Sequence, residues 1–380
     1  MIMLDLSAAF DTVDINKLLS ILKREIGVKG RALDWFASFL KNRKQTVMIN
    51  GTFSDPLFTL FGVPQGSVLG PILFNIYIRS LSRLISNCGY ITAGYADDNH
   101  AMKSFPLALE FNVLSSDIPQ LIAKISTWMT MFALKINPDK TEIMVFCPPK
   151  LRHSTVLNGT LLSDGTCIRF SKSSKNLGVY LDPLLTFSSQ ISHVSSHCYQ
   201  LLKSIGRIRN ILSQNQVEIL VHAVISSKID YCNSVYYGIN KDIISALQKV
   251  QNAAVRMIFK LKRRTSVSEY YKKLHWLKIE QRIYYKIILM VFKCVNRIAP
   301  VQLTEKIIKF KNIDTLTLNC MQCNSKSGRR SFSYIGPRLW NEVPIATRKL
   351  SDLESFKRGL KTLLYNDFDE FKSRVFRYIE

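Results

Sequence analysis

Two adjacent carboxylates, Asp97 and Asp98, interrupt an otherwise apolar, strand-like passage that reads GYADDNH. Such carboxylates are costly to crowd or bury unless a cation, a basic partner or open water compensates their charge. A third acid, Asp5, lies in the apolar run at the start of the sequence, where a strand would put it on the opposite face from Leu4 and Leu6. Two strands that each present an acid can converge on one metal site.

These three acids suit divalent-metal chemistry on phosphates. Mg²⁺ prefers carboxylate oxygens and keeps positions open for substrate phosphates. Two such ions, roughly 3.5 to 4 Å apart, can activate an attacking oxygen and stabilise the leaving one. The alternative is that Asp97 and Asp98 form an ordinary solvated turn, because Asp is a common turn residue, and spacing alone favours that alternative.

The composition is that of a folded, basic protein. Its 380 residues are 47% hydrophobic, enough apolar material for the cores of two or three domains. The 52 Lys and Arg residues exceed the 28 Asp and Glu residues, and the net charge of +24 favours a polyanionic partner, nucleic acid before an anionic membrane surface. No apolar run reaches membrane-spanning length and the eight cysteines are scattered. We therefore predict an intracellular protein of the nucleus and cytoplasm with no membrane partner.

The elements that must position the acids follow from hydrophobic periodicity and turn residues. Asp14 is placed to cap a helix that Gly27 ends, Asn50-Gly51 is a hairpin turn, and Pro71 opens a helix after a loop rich in glycine and proline. The predicted strands are residues 1–6, the hairpin of 45–50 with 53–61, the hairpin of 90–95 with 99–102 that holds the acids in its turn, and the segment that follows the turn 137–140.

From about residue 187 the pattern becomes helical. Residues 175–181 are predicted to form a final strand before this change. A basic cluster at 260–264 joins two of the predicted helices. Periodic apolar faces predict helices over residues 191–212, 216–232, 243–259, 279–295 and 353–364.

Five segments in order resemble the reverse transcriptase of non-LTR (LINE-type) retrotransposons, of the jockey or chicken-repeat kind. They are LDLSAAFDTVD, GVPQGSVLGPILFNIYI, GYADDNH, INPDKTEIMVF and KNLGVYLD. The later segments HWLKIEQRIYYKIILMVFKCVNRIAP, SFSYIGPRLWNEVP and FKRGLKTLLYNDF resemble the region after the polymerase core of the same elements. The resemblance implies an RNA-directed DNA polymerase that extends a DNA primer on an RNA template with dNTPs. It also implies two Mg²⁺ ions, for which Mn²⁺ is a possible substitute.

The same resemblance implies roles for the acids and for one lysine. Asp5 and Asp97 would be the metal-binding catalytic acids, with Asp98 beside them and the Leu6 carbonyl as a further ligand. Lys140, in the NPDKT turn, matches a basic residue that donates a proton to pyrophosphate. Taken alone, Lys140 is also consistent with a solvated surface lysine.

A nucleotide site is implied on either side of the glycine-rich loop. The backbone amides of Ala8 and Ala9 would face the incoming triphosphate. The ring of Phe10 would collide with a ribonucleotide 2′-OH, which is discrimination by clash, although an aromatic packed in the core is an equal alternative. Gln65 would touch the nucleotide and template and Gly66 would permit their close approach, against the alternative of a purely structural loop.

A nucleic-acid contact is predicted after the third helix of the helical region. The basic cluster would suit phosphates along a primer-template duplex, and the net charge favours contact over a solvated interhelix loop. Residues 175–181 match the strand that grips the primer end. The cationic residues of the cluster are Lys260, Lys262, Arg263 and Arg264.

The predicted fold class is α+β, an incomplete right-hand polymerase. Residues 1–185 would form an antiparallel-sheet palm without fingers, 186–300 an all-helical thumb, and 301–380 a C-terminal module of uncertain fold. Because the sequence begins on the first catalytic strand, we expect a truncated element whose opening strand is an exposed sheet edge and which polymerises poorly. The alternatives are a catalytically inactive nucleic-acid-binding remnant and, least favoured, a metal-dependent nuclease. The sequence does not indicate an oligomeric state.

Overall fold

The computed structural model describes residues 1–6, 9–137, 139–147, 159–161 and 167–376. The chain divides into two compact units, Met1–Ser174 and Lys175–Glu380. Both predicted boundaries, after residues 185 and 300, fall inside the second unit. Within the described residues, no helix is both long enough and apolar enough to cross a membrane.

The first unit mixes strands and helices. A π-helical turn, Leu22–Ile26, extends the first helix, and another, Val113–Asp117, joins the fourth helix to the fifth; Leu107–Leu109 is a 3₁₀ turn. In chain order the elements are β1 (Ile2–Leu4), α1 (Ile15–Ile21), α2 (Arg31–Leu40), β2 (Arg43–Gln45), β3 (Met48–Ile49), β4 (Thr52–Phe53), β5 (Leu57–Thr59), α3 (Gly70–Asn87), β6 (Ile91–Tyr95), β7 (Asp98–Met102), α4 (Glu110–Asn112), α5 (Ile118–Met131), β8 (Glu142–Ile143), β9 (Gly159–Leu161) and β10 (Cys167–Arg169).

The main sheet has the strand order β6-β7-β1-β8, and every neighbouring pair is antiparallel. β1 therefore lies inside the sheet, and its residues Ile2, Met3 and Leu4 are buried. The prediction that this strand is an exposed sheet edge was wrong, because β7 and β8 supply hydrogen bonds on both of its sides.

Local sequence signals account for the elements around the sheet. The backbone N–H of Lys17 donates to Asp14 Oδ1 at 3.0 Å, so Asp14 caps α1 as predicted. Gly27 ends the π-helical turn with a left-handed φ of 84°. Pro71 lies in the first turn of α3, where its missing N–H costs nothing. Asn50 and Gly51 both have positive φ and connect β3 to β4, which confirms the predicted hairpin.

The second unit is mainly helical. A π-helical turn, His222–Ser226, joins its second helix to its third, and Asn233–Tyr236 and Gly328–Arg330 are 3₁₀ turns. In chain order its elements are β11 (Ser174–Asn176), β12 (Val179–Leu181), α6 (Ser188–Ile208), α7 (Gln214–Val221), α8 (Ser227–Asp230), α9 (Lys241–Phe259), α10 (Ser268–Leu274), α11 (Ile279–Val295), α12 (Val301–Ile307), β13 (Phe310–Asn312), β14 (Thr317–Leu318), α13 (Phe332–Asn341), α14 (Ile345–Arg348), α15 (Leu353–Asn366) and α16 (Phe368–Phe376).

Residues 175–181 form a tight hairpin, so the prediction of one continuous strand there was wrong. β11 pairs with β12, and the chain reverses at Leu177 and Gly178, whose φ angles are 44° and 84°. The hydroxyl of Tyr231 donates to the Leu177 carbonyl at 2.6 Å and holds this turn. Gly178 interrupts the apolar run LGVYL and readily adopts positive φ, which permits the turn.

The C-terminal part of the second unit shares one apolar core with α6, α9 and α11. The ring of Phe356 in α15 stacks on Phe292 in α11 with centroids 4.0 Å apart. Trp340 in α13 is fully buried, and its Nε1–H donates to the Leu316 carbonyl at 2.7 Å. Residues after 300 therefore contribute to the same core as the helices before them.

Tyr77 of α3 links stability to pH. Its buried hydroxyl donates to the Phe132 carbonyl at 2.5 Å and accepts from the backbone N–H of Asp14, and burial raises its pKa to about 12. Between about pH 10 and 12 the unfolded chain has lost this phenol proton and the folded chain has not. The free energy of unfolding should then fall by roughly 1.4 kcal/mol per pH unit on account of Tyr77.

Denaturant titrations of the wild type and of Tyr77→Phe across this pH range measure that contribution. The variant should show a shallower fall in the free energy of unfolding, by the slope given above. Parallel slopes for the two proteins would mean that Tyr77 titrates with its ordinary pKa in the folded state.

Candidate active site

β1, which ends one residue before Asp5, pairs with β7, which begins at Asp98. β1 and β7 pair through Ile2 with Ala101, Met3 with His100 and Leu4 with Asn99, which is the last pair. The same register continued by one residue would set Asp5 opposite Asp98. Directly opposed residues of an antiparallel pair project to the same side of the sheet, with Cβ atoms roughly 4.5 to 5.5 Å apart. The sequence prediction that two strands converge with their acids is consistent with this register.

Asp97 lies at the tip of the hairpin formed by β6 and β7. Tyr95 pairs with Asp98, so Ala96 and Asp97 form a two-residue turn, and Ala96 has a φ of 55°. Both carboxylates are exposed to solvent. The predicted hairpin with the acids at its turn is confirmed. Because both carboxylates are exposed, there is no free-energy cost from burying their charges.

The acidic turn is braced by a residue that sequence reasoning missed. Asn99 is only 5% exposed, and its Nδ2–H donates to the carbonyl of Asp97 at 3.0 Å. A Cβ atom added at Gly94 would lie 2.9 Å from Asn99 Oδ1, so the glycine leaves room for this amide. The sequence did contain one signal for this contact. Gly94 lies on one arm of the hairpin, opposite the polar residue Asn99 at an inward position of the other arm.

The loop that carries Lys140 is attached to the chain at Asp5. The backbone N–H of Asn137 donates to the Asp5 carbonyl at 2.9 Å, and Leu6 forms an antiparallel bridge with Ile136. Both the N–H and the hydroxyl of Thr141 donate to the Asn137 carbonyl, which closes the loop. Lys140 is exposed on this loop beside the acid-bearing end of β1.

The donor set fits a magnesium-type site that substrate completes. Among the described residues, no three His, Cys, Asp or Glu side chains are grouped closely enough to enclose a metal ion by themselves. Mg²⁺ is usually bound by one or two carboxylates, with waters and substrate phosphates as its other ligands. Two exposed carboxylates on the hairpin and a third directly after the neighbouring strand, all oxygen donors, suit that kind of binding.

The glycine-rich loop packs directly on the turn that follows β1. The N–H of Val63 donates to the Phe10 carbonyl at 2.9 Å, and the N–H of Gly62 donates to the Val13 carbonyl at 2.8 Å. A Cβ atom at Gly62 would lie 2.9 Å from the Cα of Asp11, so only glycine permits this approach. These contacts bring together the two segments that carry the predicted nucleotide-site residues.

A side-chain hydrogen bond completes this junction. The Nε2–H of Gln65 donates to Asp11 Oδ1 at 2.8 Å, and both residues are exposed. Gly66 follows with a φ of 77°, and no atom lies near the position of a Cβ there. Asp11 was not predicted as a site residue, because its partner is distant in sequence.

Phe10 and the alanines before it occupy the same turn. The ring of Phe10 stacks on Phe74 with centroids 4.5 Å apart and is half-buried. This contact supports the packing alternative, and the role of Phe10 as a sugar gate stays a prediction. Ala9 is buried, whereas Ala8 lies outside the described residues.

The predicted nucleic-acid cluster lies in the second unit, between α9 and α10. Lys260 ends α9 with a left-handed φ of 52°, and the N–H of Leu261 donates to the Arg256 carbonyl at 3.0 Å. All of the predicted contact residues are exposed, namely Lys260, Lys262, Arg263 and Arg264.

Comparison with known proteins identifies similar sequences. Residues 1–231 match the model of a family described as reverse transcriptase (RNA-dependent DNA polymerase). The chain is 25% identical over 266 residues to the probable RNA-directed DNA polymerase from transposon BS of Drosophila melanogaster, which covers 68% of this chain and 28% of that protein. It is 26% identical over 272 residues to the RNA-directed DNA polymerase from mobile element jockey of Drosophila funebris, with the same coverage of 68% and 28%. The chain thus spans about 28% of the length of these curated relatives.

Proposed function

Because this chain belongs to the reverse transcriptase (RNA-dependent DNA polymerase) family, we propose that it is an RNA-directed DNA polymerase of a retrotransposon that transfers nucleotides from dNTPs to a primer 3′-OH. The resemblance found in its five sequence segments is confirmed by the family match and by the two relatives. One observation supports the assignment most strongly: β1, which Asp5 directly follows, pairs with β7, which begins at Asp98 beside the exposed turn of Asp97.

The acids would hold the divalent ions of the reaction. Asp5, Asp97 and Asp98, with the Leu6 carbonyl, would bind two Mg²⁺ ions, or Mn²⁺ in their place. Such ions lower the barrier to attack by the primer hydroxyl and stabilise charge on the departing pyrophosphate. The sheet supplies the rigidity that this positioning needs, since phosphoryl transfer depends mainly on geometry and charge.

Lys140 would act as the general acid of the reaction. Its exposed ammonium lies on the loop fastened to Asp5 through Asn137. From there it could give a proton to the pyrophosphate oxygen as the phosphorus–oxygen bond breaks. The attachment of its loop to Asp5 and Leu6, directly after β1, is what supports this role over that of an ordinary solvated lysine.

The incoming nucleotide would bind where the glycine-rich loop meets the turn after β1. Backbone amides of Ala8 and Ala9 would face its triphosphate, and Phe10 would exclude a ribose 2′-OH. Gln65 and Gly66 would contact the base pair that forms. The hydrogen bond from Gln65 to Asp11 supports this placement, because it holds the glutamine on the same junction as Phe10.

A right-hand layout would follow from these roles. Residues 1–185, with the antiparallel sheet, would form the palm that carries the acids. Residues 186–300 would form the thumb and 301–380 a C-terminal module. The exposed basic cluster of Lys260, Lys262, Arg263 and Arg264 would contact phosphates of the RNA template and DNA primer.

Primer extension by the purified chain tests the proposal. A labelled DNA primer annealed to RNA should be lengthened only when dNTPs and a divalent metal ion are both present. Salt-dependent binding of the primer-template without any lengthening would favour the inactive remnant. Shortening of labelled RNA in the absence of dNTPs would favour a metal-dependent nuclease.

Asn99 is expected to position the acids in this reaction. Asn99→Ala removes the hydrogen bond to the Asp97 carbonyl and should slow extension by about ten- to hundredfold, because small misplacements of reacting groups are costly. The variant should also need more Mg²⁺ for half-maximal extension. Kinetics at a series of Mg²⁺ concentrations measure both effects.

Asn112→Ala, an exposed asparagine of α4, is the matched control and should behave as the wild type. A melting temperature recorded for each variant separates loss of fold from loss of positioning. Wild-type kinetics in Asn99→Ala would rule out the bracing role.

A further inference from the structure

The second unit contains a cavity of about 900 Å³ beside α6 and α9, which we call the α6–α9 pocket. Among the described residues, no acidic side chain lines it. Its charged and aromatic lining residues are Tyr199, Arg209, Lys249, Arg256, Lys260 and Arg263. Such concentrated positive charge without an acid favours an anionic ligand.

One of these cations is committed to the protein itself. Arg209 is buried, and its guanidinium donates to the carbonyls of Met257 and Ile258, both at 2.7 Å, and to that of Leu212 at 3.0 Å. It satisfies carbonyls at the end of α9 and forms a fixed wall of the pocket. The remaining cations are therefore the ones available to a ligand.

The loop after α9 keeps those cations at the pocket. Arg256 Nη2–H donates to the Thr265 carbonyl at 3.1 Å, and its own carbonyl accepts from Leu261. The Nε–H of Arg256 is buried and has no hydrogen-bond partner within the part of the chain that the structure describes. Arg256 is therefore held beside the pocket through its Nη2 and its carbonyl, with one donor that no acceptor among the described residues satisfies.

We propose that the α6–α9 pocket binds a single-stranded stretch of nucleic acid, with its phosphates on Lys249, Arg256, Lys260 and Arg263 and a base stacked on Tyr199. The ring of Tyr199 is 45% exposed at the pocket. An unpaired strand can offer the face of a base to such a ring, whereas a duplex keeps its bases stacked on one another. The inference rests on the proposed function in one respect: a polymerase that copies RNA encounters single-stranded nucleic acid.

Fluorescence anisotropy with a labelled oligouridine, without dNTPs or Mg²⁺, tests the pocket in the full chain. Lys249→Gln combined with Arg256→Gln should weaken binding at least tenfold, and the slope of log affinity against log salt should flatten by roughly 0.7 for each phosphate that is no longer neutralised. Tyr199→Leu should weaken binding about tenfold with an unchanged slope, because stacking involves no counterion release.

The matched control removes the same charge from the neighbouring loop. Lys262→Gln combined with Arg264→Gln should weaken oligouridine binding less than the pocket pair does, because neither residue lines the cavity. An RNA duplex of the same length should compete poorly. An equal loss in the control pair, full binding by Tyr199→Leu, or equal competition by the duplex would overturn the proposal.

A measurement on the unaltered protein does not depend on how the variants fold. Photocrosslinking with oligouridine that contains 4-thiouridine should attach the strand to Tyr199, as mapped by mass spectrometry. Crosslinks confined to other parts of the chain would overturn the proposal. The binding assay contains neither dNTPs nor Mg²⁺, whereas primer extension needs both, so a failure of the polymerase assignment and a failure of this pocket give different results.

Discussion

Replacing Asp97 with asparagine is expected to slow primer extension by roughly a thousandfold or more while the protein remains folded. A carboxylate that helps to hold a divalent ion contributes several kcal/mol of charge stabilisation in the transition state, and about 1.4 kcal/mol corresponds to a factor of ten in rate. Asn retains the shape of the side chain and its place in the exposed turn. Single-turnover extension on an RNA template measures the effect.

Asp5→Asn should show a loss of the same order, because Asp5 directly follows β1, the strand that pairs with the Asp98-bearing strand β7. Asp55→Asn, at another exposed acid of the first unit, serves as the control and should extend primers normally. If Asp5→Asn retained activity, Asp5 would take no part in the reaction, even if Asp97 proved essential.

Trp340→Ala is expected to destabilise the second unit by about 3 to 5 kcal/mol, the usual cost of emptying a fully buried aromatic site. Trp340 is 0% exposed and packs against Phe356, with ring centroids 5.8 Å apart. Truncation also removes the donor that satisfies the Leu316 carbonyl. Denaturant unfolding followed by circular dichroism measures the change in the free energy of unfolding.

Trp35→Ala provides the comparison, since Trp35 is 53% exposed in α2. Its loss should cost less than about 1 kcal/mol. If the two substitutions lowered the free energy of unfolding by similar amounts, this would contradict a single core that includes the residues after 300.

Local signals in the sequence predicted most of the elements. Asp14, Gly27, the pair Asn50-Gly51 and Pro71 mark helix ends and a turn through contacts within a few residues, and such contacts do not depend on the remainder of the fold. The hairpin at 175–181 was missed because a glycine within an apolar run is consistent with either a strand or a turn.

Long-range pairing was harder to predict. The central position of β1 depends on hydrogen bonds to β7 and β8, which lie far along the chain. Similarly, the apolar periodicity of α13 and α15 indicates a buried face but does not identify the helix that covers it. The predicted boundary after residue 300 therefore falls within one continuous apolar core.

The residues of the candidate site likewise divide into those that the sequence predicted and those that it did not. Residue types and spacing predicted that Asp5 would approach the hairpin of Asp97 and Asp98, since alternation along a strand fixes which face an acid occupies. Asn99 and Asp11 were missed because their roles depend on partners that only the folded chain brings near. The Asn99 side chain holds the Asp97 carbonyl, and the Asp11 side chain holds the Gln65 amide. The spacing of residues within a motif does not reveal such contacts.

Iron-directed cleavage tests the account most directly, because hydroxyl radicals formed at Fe²⁺ bound in place of Mg²⁺ cut the nearest backbone. Proximity of the acidic turn, β1 and the Lys140 loop predicts cuts within residues 94–99 and 137–141 of the wild type, and loss of both in Asp97→Asn. Cuts confined to other segments, or the same cuts in Asp97→Asn, would contradict a metal site built by these acids.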